Sequence, residues 1–129
     1  MTASIDPRRT VGSLGEQIAA DHLMRAGYVI LARNFRTRFG ELDLVAADDR
    51  CIVFCEVKAR IAGTRRGPRG PLDAIGPRKR AQVRAMAREW LTATAGKRPH
   101  RPELRFDAIG VLLSRSGSLV SLDHVENAF

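Results

Sequence analysis

Asp43, Glu56 and Lys58 put two carboxylates and one amine on neighbouring apolar segments, FGELDLVA (Phe39 to Ala46) and CIVFCEVK (Cys51 to Lys58). The segments read as strands, and Asp48-Asp49 between them marks a turn. A two-residue hairpin there sets Asp43 opposite Phe54 and Glu41 opposite Glu56. Asp43 and Glu56 are then diagonal neighbours on one face, about 7–8 Å apart between Cα atoms. Carboxylates reaching inward from that separation can share a divalent cation. Lys58, two residues beyond Glu56, projects from the same face.

Phosphodiester hydrolysis needs such a set. A hard cation polarises the phosphate and acidifies water, and oxygen ligands suit magnesium, with manganese as a substitute. Asp43 and Glu56 are the expected ligands, with the Val57 carbonyl as a third. Lys58 is expected to position the water and balance charge on the phosphate. Glu16, at the rim of the first helix, can reach the same site directly or through a metal-held water. The pattern also arises by chance: a charged surface hairpin, or an ion pair of Glu56 with Lys58 or Arg60, would produce it. Against that stands the position of Glu56 at the end of a nearly continuous apolar strand, where an unpaired carboxylate is costly.

The elements that must position these residues follow from periodicity. A helix is expected from about Thr10 or Gly12 to Gly27, a C-cap glycine. Its apolar arc holds Leu14, Ile18, Ala19, His22, Leu23 and Ala26, with Gln17, Ala20, Asp21 and Met24 largely opposite. Tyr28 to Phe35 reads as a first strand. CIVFCEVK reads as a central strand covered on both faces. Residues 60–77, rich in glycine, proline and arginine, read as a mobile basic loop. A second helix follows over about Pro77 to Thr94, with Val83, Ala87, Trp90 and Leu91 buried and Arg80, Arg84 and Arg88 on a solvated face. Leu104 to Leu113 is a fourth strand and SLVSLDHV a fifth. The fold class is α/β, a mixed sheet flanked by helices in the order α-β-β-β-α-β-β. Residues 1–10 read as a flexible arm and 11–129 as a single domain, the usual size for one.

The chain carries 22 basic and 14 acidic residues, a net charge of +8. That field favours a polyanion, nucleic acid before membrane. Cys51 and Cys55 stand about 13 Å apart on one strand face at 3.3 Å per residue. A disulfide needs Cα atoms within about 7 Å, so they read as reduced core residues of a cytoplasmic protein. No apolar run approaches the ~20 residues needed to span a bilayer. The N-terminus lacks the apolar core of an export signal.

The segments GSLGEQIAADHLMRAGYVILARNFRTRFGELDLVA, FCEVKAR and LDHVENAF closely resemble the bacterial UPF0102 (YraN) family. Members are usually described as predicted endonucleases related to archaeal Holliday-junction resolvases. The resemblance runs from roughly Val11 to Phe129. It implies the restriction-endonuclease-like fold and its PD-(D/E)xK motif, carried here as Leu42-Asp43 and Glu56-Val57-Lys58. Leu42 replaces the motif proline, which supplies no ligand. The resemblance also implies that Glu16 is the helix glutamate supporting the metal, and it places a family lysine at Lys79.

Other residues admit two readings. Arg33, Asn34, Arg36 and Arg38 are expected to contact phosphate, or else form a polar strand end. Arg60, Arg65, Arg66 and Arg69 can order over a nucleic-acid backbone, or carry incidental charge. Lys79 opens the second helix, where the macrodipole does not favour a cation, so a ligand role competes with simple exposure. Asp107 is expected to pair with Arg105 or Arg36 rather than bind metal. His22, His100 and His124 share no zinc spacing with the cysteines. Gly12 and Gly15 read as close-packing positions, not a nucleotide loop.

The expected activity is magnesium-dependent cleavage of branched or structured DNA. A homodimer would make paired cuts, and no small-molecule cofactor or membrane partner is expected. The alternative is a non-catalytic nucleic-acid-binding or accessory protein that retains the nuclease scaffold.

Overall fold

The computed structural model describes residues 11–63 and 75–129. They form α1 (Val11–Arg25), β1 (Val29–Thr37), β2 (Gly40–Ala47), β3 (Cys51–Ile61), α2 (Pro77–Ala93), β4 (Glu103–Leu113) and β5 (Leu119–Val125). The expected element order is therefore observed. The strands make one sheet in sequence order, antiparallel except for the parallel β3–β4 pair. That parallel pair follows from the helical crossover through α2, which returns the chain in the same direction.

Alternation on β3 explains the layering. Val53, Cys55 and Val57 join Ala19, Ala20 and Leu23 of α1 in one core cluster, with Ile109 and Val111 of β4. Ile52 and Phe54 face the other way, against Val83, Met86, Ala87 and Trp90 of α2. A strand covered on both faces has no polar side, which is why its sequence is an almost unbroken apolar run. Phe54 anchors the second layer, stacked on Phe106 at 5.3 Å and edge-on to Trp90 at 5.8 Å. Both cysteines are free and lie on the α1 side.

Gly15 brings α1 close to the sheet. A Cβ there would stand 2.5 Å from the Ala59 Cβ. The arc departs from expectation at two residues: Ala20, placed largely opposite, is fully buried, whereas Ala26, one residue past the end of α1, is exposed. Gly12 is also exposed, so only Gly15 serves the packing role. Gly27 takes φ +96°, the left-handed conformation expected of a glycine beyond a helix end.

Two boundaries differ from expectation. The segment read as a loop from residue 60 begins as strand, because Arg60 and Ile61 continue the ladder against Leu112 and Leu113. The pairing strand β4 is long enough to hold them, and sequence composition does not report a partner's length. The arm at 1–10 and Arg65, Arg66 and Arg69 lie outside the described residues. No helix among the described residues is long and apolar enough to cross a membrane.

Asp107, fully buried in β4, ties the C-terminal part to the sheet. Its carboxylate accepts from Arg105 Nε at 2.9 Å, from His124 Nε2 at 2.7 Å and from the Asn127 N–H at 3.1 Å. Burial alone would raise its pKa, but these bonds hold it below the ordinary carboxylate value. Of its two expected partners the structure selects Arg105, while Arg36 pairs with Glu41. His22 is not simply packed: its Nε2 lies 3.0 Å from His124 Nδ1, extending the network to α1.

Candidate metal centre

The site forms where β2 leaves β3. The two strands pair from Ala47↔Ile52 to Leu44↔Cys55, two residues out of the expected register. The cause is local. The Asp48 carboxylate accepts the N–H groups of Arg50 and Cys51, at 2.8 and 2.7 Å. Its own N–H donates to the Cys51 carbonyl at 3.1 Å. Asp48 therefore belongs to the flank, as an Asx turn, and the reversal centres on Asp49 and Arg50. A two-residue shift preserves faces. It moves Asp43 from a diagonal position to one level with Glu56.

β2 also turns over at this point. Leu44 and Ala46 pack toward α1, and Val45 and Ala47 toward α2, as strand alternation requires. Leu42 should then face α1, yet it packs in the α2 layer. Its β1 partners do the same. Arg33, opposite Leu44, donates to Gln17 of α1 at 2.8 Å, whereas Phe35, opposite Leu42, packs toward α2. Between them Asn34 takes φ +50°, a left-handed conformation that asparagine tolerates better than most residues. The strands reverse faces at Asn34 and Asp43, and Asp43 is left in the fork between β2 and β3.

In the fork the Val57 N–H donates to Asp43 Oδ2 at 2.8 Å. The N–H and C=O of one strand residue point to the same side, so the Val57 carbonyl opens on the fork as well. Glu16 of α1, Glu41 and Asp43 each bring a carboxylate oxygen within 4.8 Å of the others. Glu41 was absent from the residues expected here, although Glu41-x-Asp43 was a visible signal. In the assumed register it served only as a cross-strand neighbour.

Glu56 is 2% exposed. Its Oε1 lies 3.2 Å from Lys79 Nζ and 3.5 Å from Lys58 Nζ. Its Oε2 is buried with no hydrogen-bond partner among the described residues. Burial, and then the charge of Glu56, push Asp43 up to about 8 against the opposing Val57 N–H bond. Glu16 is raised too, by burial first and then by Glu41, with a hydrogen bond from Asn34 acting the other way. Carboxylates collected this closely repel one another, and a cation among them removes the repulsion.

The structure brings Asp43, Glu56, Val57, Lys58, Glu16 and Lys79 together. Lys79 reaches in from the first turn of α2, where Gly76 precedes Pro77 and no acidic residue offsets the positive helix end. Its pairing with Glu56 accounts for a lysine at an end that does not favour one. Arg33 and Asn34 line a cleft of about 120 Å³ with Ser13, Glu16, Gln17 and Leu44. Arg36 bonds Glu41 at 3.1 Å, and the Arg38 guanidinium lies 4.9 Å from the Phe39 ring centre. Arg60 is half-buried, two residues past Lys58. The arginine row of α2 is exposed but not wholly free: Arg84 stacks over Phe106 at 4.6 Å, and Arg80 donates to the Ile75 carbonyl at 3.1 Å.

A mixed sheet with a helix layer on each face, and carboxylates and lysines gathered where two strands part, is a restriction-endonuclease-like scaffold of the nuclease type. The chain belongs to the uncharacterised protein family UPF0102, whose profile matches residues 15–111. A UPF0102 protein from Acidothermus cellulolyticus is 40% identical over 136 aligned positions, covering 100% of both chains. One from Trichlorobacter lovleyi is 46% identical, covering 94% of this chain and 91% of its own. A third, from Syntrophomonas wolfei, is 42% identical over 94% and 98%.

Proposed function

We propose that this protein is a magnesium-dependent endonuclease that hydrolyses phosphodiesters in branched or otherwise structured DNA in the cytoplasm. The observation that carries the reading is the second oxygen of Glu56, buried with no hydrogen-bond partner among the described residues, next to an Asp43 whose carboxyl the Glu56 charge pushes up. A buried carboxylate oxygen costs free energy unless something satisfies it. The donor set fits a hard cation: two carboxylates and a backbone carbonyl at the fork, with Glu16 and Glu41 close by. Asp43, Glu56 and the Val57 carbonyl would hold magnesium, or manganese in its place. When bound, the cation supplies Lewis-acid polarisation of the phosphate and a more acidic water.

The protein's own groups do the positioning. Lys79 engages Oε1 of Glu56, so Oε2 would be the oxygen available to a cation. Lys58, the more exposed of the two lysines on Glu56, orients the attacking water and offsets charge developing on the phosphate. The Val57 N–H fixes one oxygen of Asp43. Arg33, Asn34, Arg36, Arg38 and Arg60 surround the fork and supply phosphate contacts. Resolving a four-way junction needs two cuts, and a homodimer would present two such sites.

The pairing of Glu56 with two lysines favours a second reading, a self-neutralised site in a non-catalytic DNA-binding protein. One experiment separates them: cleavage of labelled four-way junction, flap, single-stranded and linear duplex DNA with magnesium or manganese. Glu56→Gln is expected to lower metal-dependent cleavage by about 100-fold or more, the scale seen when a group stabilising transition-state charge is removed. Calorimetry should show magnesium binding to the wild type and not to Glu56→Gln. Binding of DNA without turnover or metal uptake would establish the second reading instead.

A further inference from the structure

The β1–β2 hairpin presents a half-exposed aromatic ring toward α2, with the Arg38 guanidinium 4.9 Å from the ring centre. Phe39 is 52% exposed, unusual for a residue type found mostly inside proteins. Its backbone is fixed from both sides. The Phe39 N–H donates to Thr37 Oγ1 at 3.1 Å, and its carbonyl accepts from Gln82 Nε2 of α2 at 3.0 Å. Gly40 takes φ +146°, a conformation that residues with side chains rarely adopt, which fixes glycine at this turn beside Gln82. The backbone that carries the ring is therefore held against α2.

Hairpin and helix enclose an open cleft of about 240 Å³ lined by Phe39, Ala85, Arg88, Glu89 and Thr92. An aromatic face with a guanidinium, a carboxylate and a hydroxyl around it is the combination that receives a nucleobase. The face stacks, and the polar groups meet the donors and acceptors of the base edge. The cleft is also close to the proposed chemistry. Glu41 follows Phe39 by two residues. Along α2 the lining runs from Ala85 to Thr92, six to thirteen residues after Lys79 and about 9–20 Å along the helix axis. That span corresponds to roughly three to six base steps at 3.4 Å each. A continuous duplex has no free base face to offer such a cleft.

We propose that the cleft between the β1–β2 hairpin and α2 takes an unpaired nucleobase stacked on Phe39, so that the protein selects DNA with a base unpaired close to the cut phosphate. Placement beside the cut rests on the endonuclease reading; base capture itself does not. The test is binding by the full chain in EDTA and in calcium. One DNA carries 2-aminopurine in an unpaired flap beside a branch, and a control carries it fully paired. Wild-type protein is expected to bind the flap DNA more tightly and to quench its 2-aminopurine emission. Phe39→Ala should weaken flap binding roughly tenfold, the scale of one lost base–aromatic stack. It should leave emission unquenched and change duplex binding less than twofold. Phe39→Trp should restore both signals, and unchanged melting temperatures would show that the variants fold. Equal losses on both DNAs, or quenching that survives Phe39→Ala, would overturn the inference, as would capture of a protein partner's aromatic side chain with no effect on DNA. Discrimination without cleavage would keep this site and refute the endonuclease; cleavage without discrimination would do the reverse.

Discussion

Among the described residues Glu56 is satisfied at one oxygen and not at the other, and Asp43 beside it is pushed up to about 8. Such a pair is costly in the absence of a cation. At neutral pH the metal-free Asp43 holds its proton, so Asp43→Asn removes the cost of that uptake while keeping the side-chain shape and the oxygen that accepts from Val57. The metal-free variant is expected to be more stable than wild type by about 1–2 kcal/mol, the range typical when a strained functional site is relieved. It should lose the rise in melting temperature that magnesium gives the wild type. Thermal melts with and without magnesium check both parts, and a metal-free variant less stable than wild type would show that repulsion does not dominate here. At this scale much was legible. Asp43, Glu56 and Lys58 stand out by type and spacing, and Lys79 by its unfavourable position at a helix start. Glu41 did not, because its role depends on where β2 reverses its faces.

At the scale of elements, α1 is placed by Gly15. Replacing an exposed helix glycine by alanine ordinarily stabilises by about 1 kcal/mol. Here the added methyl would meet Ala59 at 2.5 Å, so Gly15→Ala is expected to destabilise by about 1–3 kcal/mol instead. Urea unfolding measures the sign, and Ala59→Gly should restore stability in the double variant. The attachment of β5 is expected to weaken in acid. Burial, then His124 and Arg25, hold His22 below its ordinary value of 6.5. The unfolded chain therefore takes the proton more readily, and this contribution is lost as pH falls from about 6.5 through the lower folded value. Asp107, also held below its ordinary value, adds a second loss beginning near pH 3.8. The groups facing this pair are Arg105, Tyr28 and, through Arg105, Glu126. Asp43, held up to about 8, gains stability as pH falls through the same window, so the His22 part is read by difference: between pH 7.5 and 5.5 the melting temperature of His22→Gln should rise relative to that of the wild type. An identical profile in the variant would assign the loss elsewhere. Asp107 pairing with Arg105 was legible from their closeness in one strand. The two histidines were not, since 102 residues separate them.

For the whole molecule, the charge of +8 sets a field that the acidic fork interrupts locally. Arg33, Arg36, Arg38 and Arg60, on β1, the β1–β2 turn and β3, are the proposed phosphate contacts, so DNA binding should release counterions as phosphates are neutralised. With four such contacts, log K is expected to fall with log salt at a slope of about −4. Fluorescence anisotropy across a salt series checks it, and a slope near zero would rule out backbone binding by this basic rim. Glu56→Gln leaves the rim intact and should leave the slope unchanged.

Local pattern in the sequence determined the element order, the burial of β3 on both faces, the apolar layers and the pairing of an acidic strand with a Glu-x-Lys strand. These features legibly follow from alternation and helical periodicity, which depend on near neighbours. Tertiary structure decided the register of β2 on β3, the reversal of β1 and β2 at Asn34 and Asp43, the entry of Glu41, and the meeting of Lys79 with Glu56. Each depends on how an Asx turn, a left-handed residue and a distant helix end combine. Lys79 and Glu56, 23 residues apart along the chain, share no periodic signal, and only packing brings them within ion-pair reach.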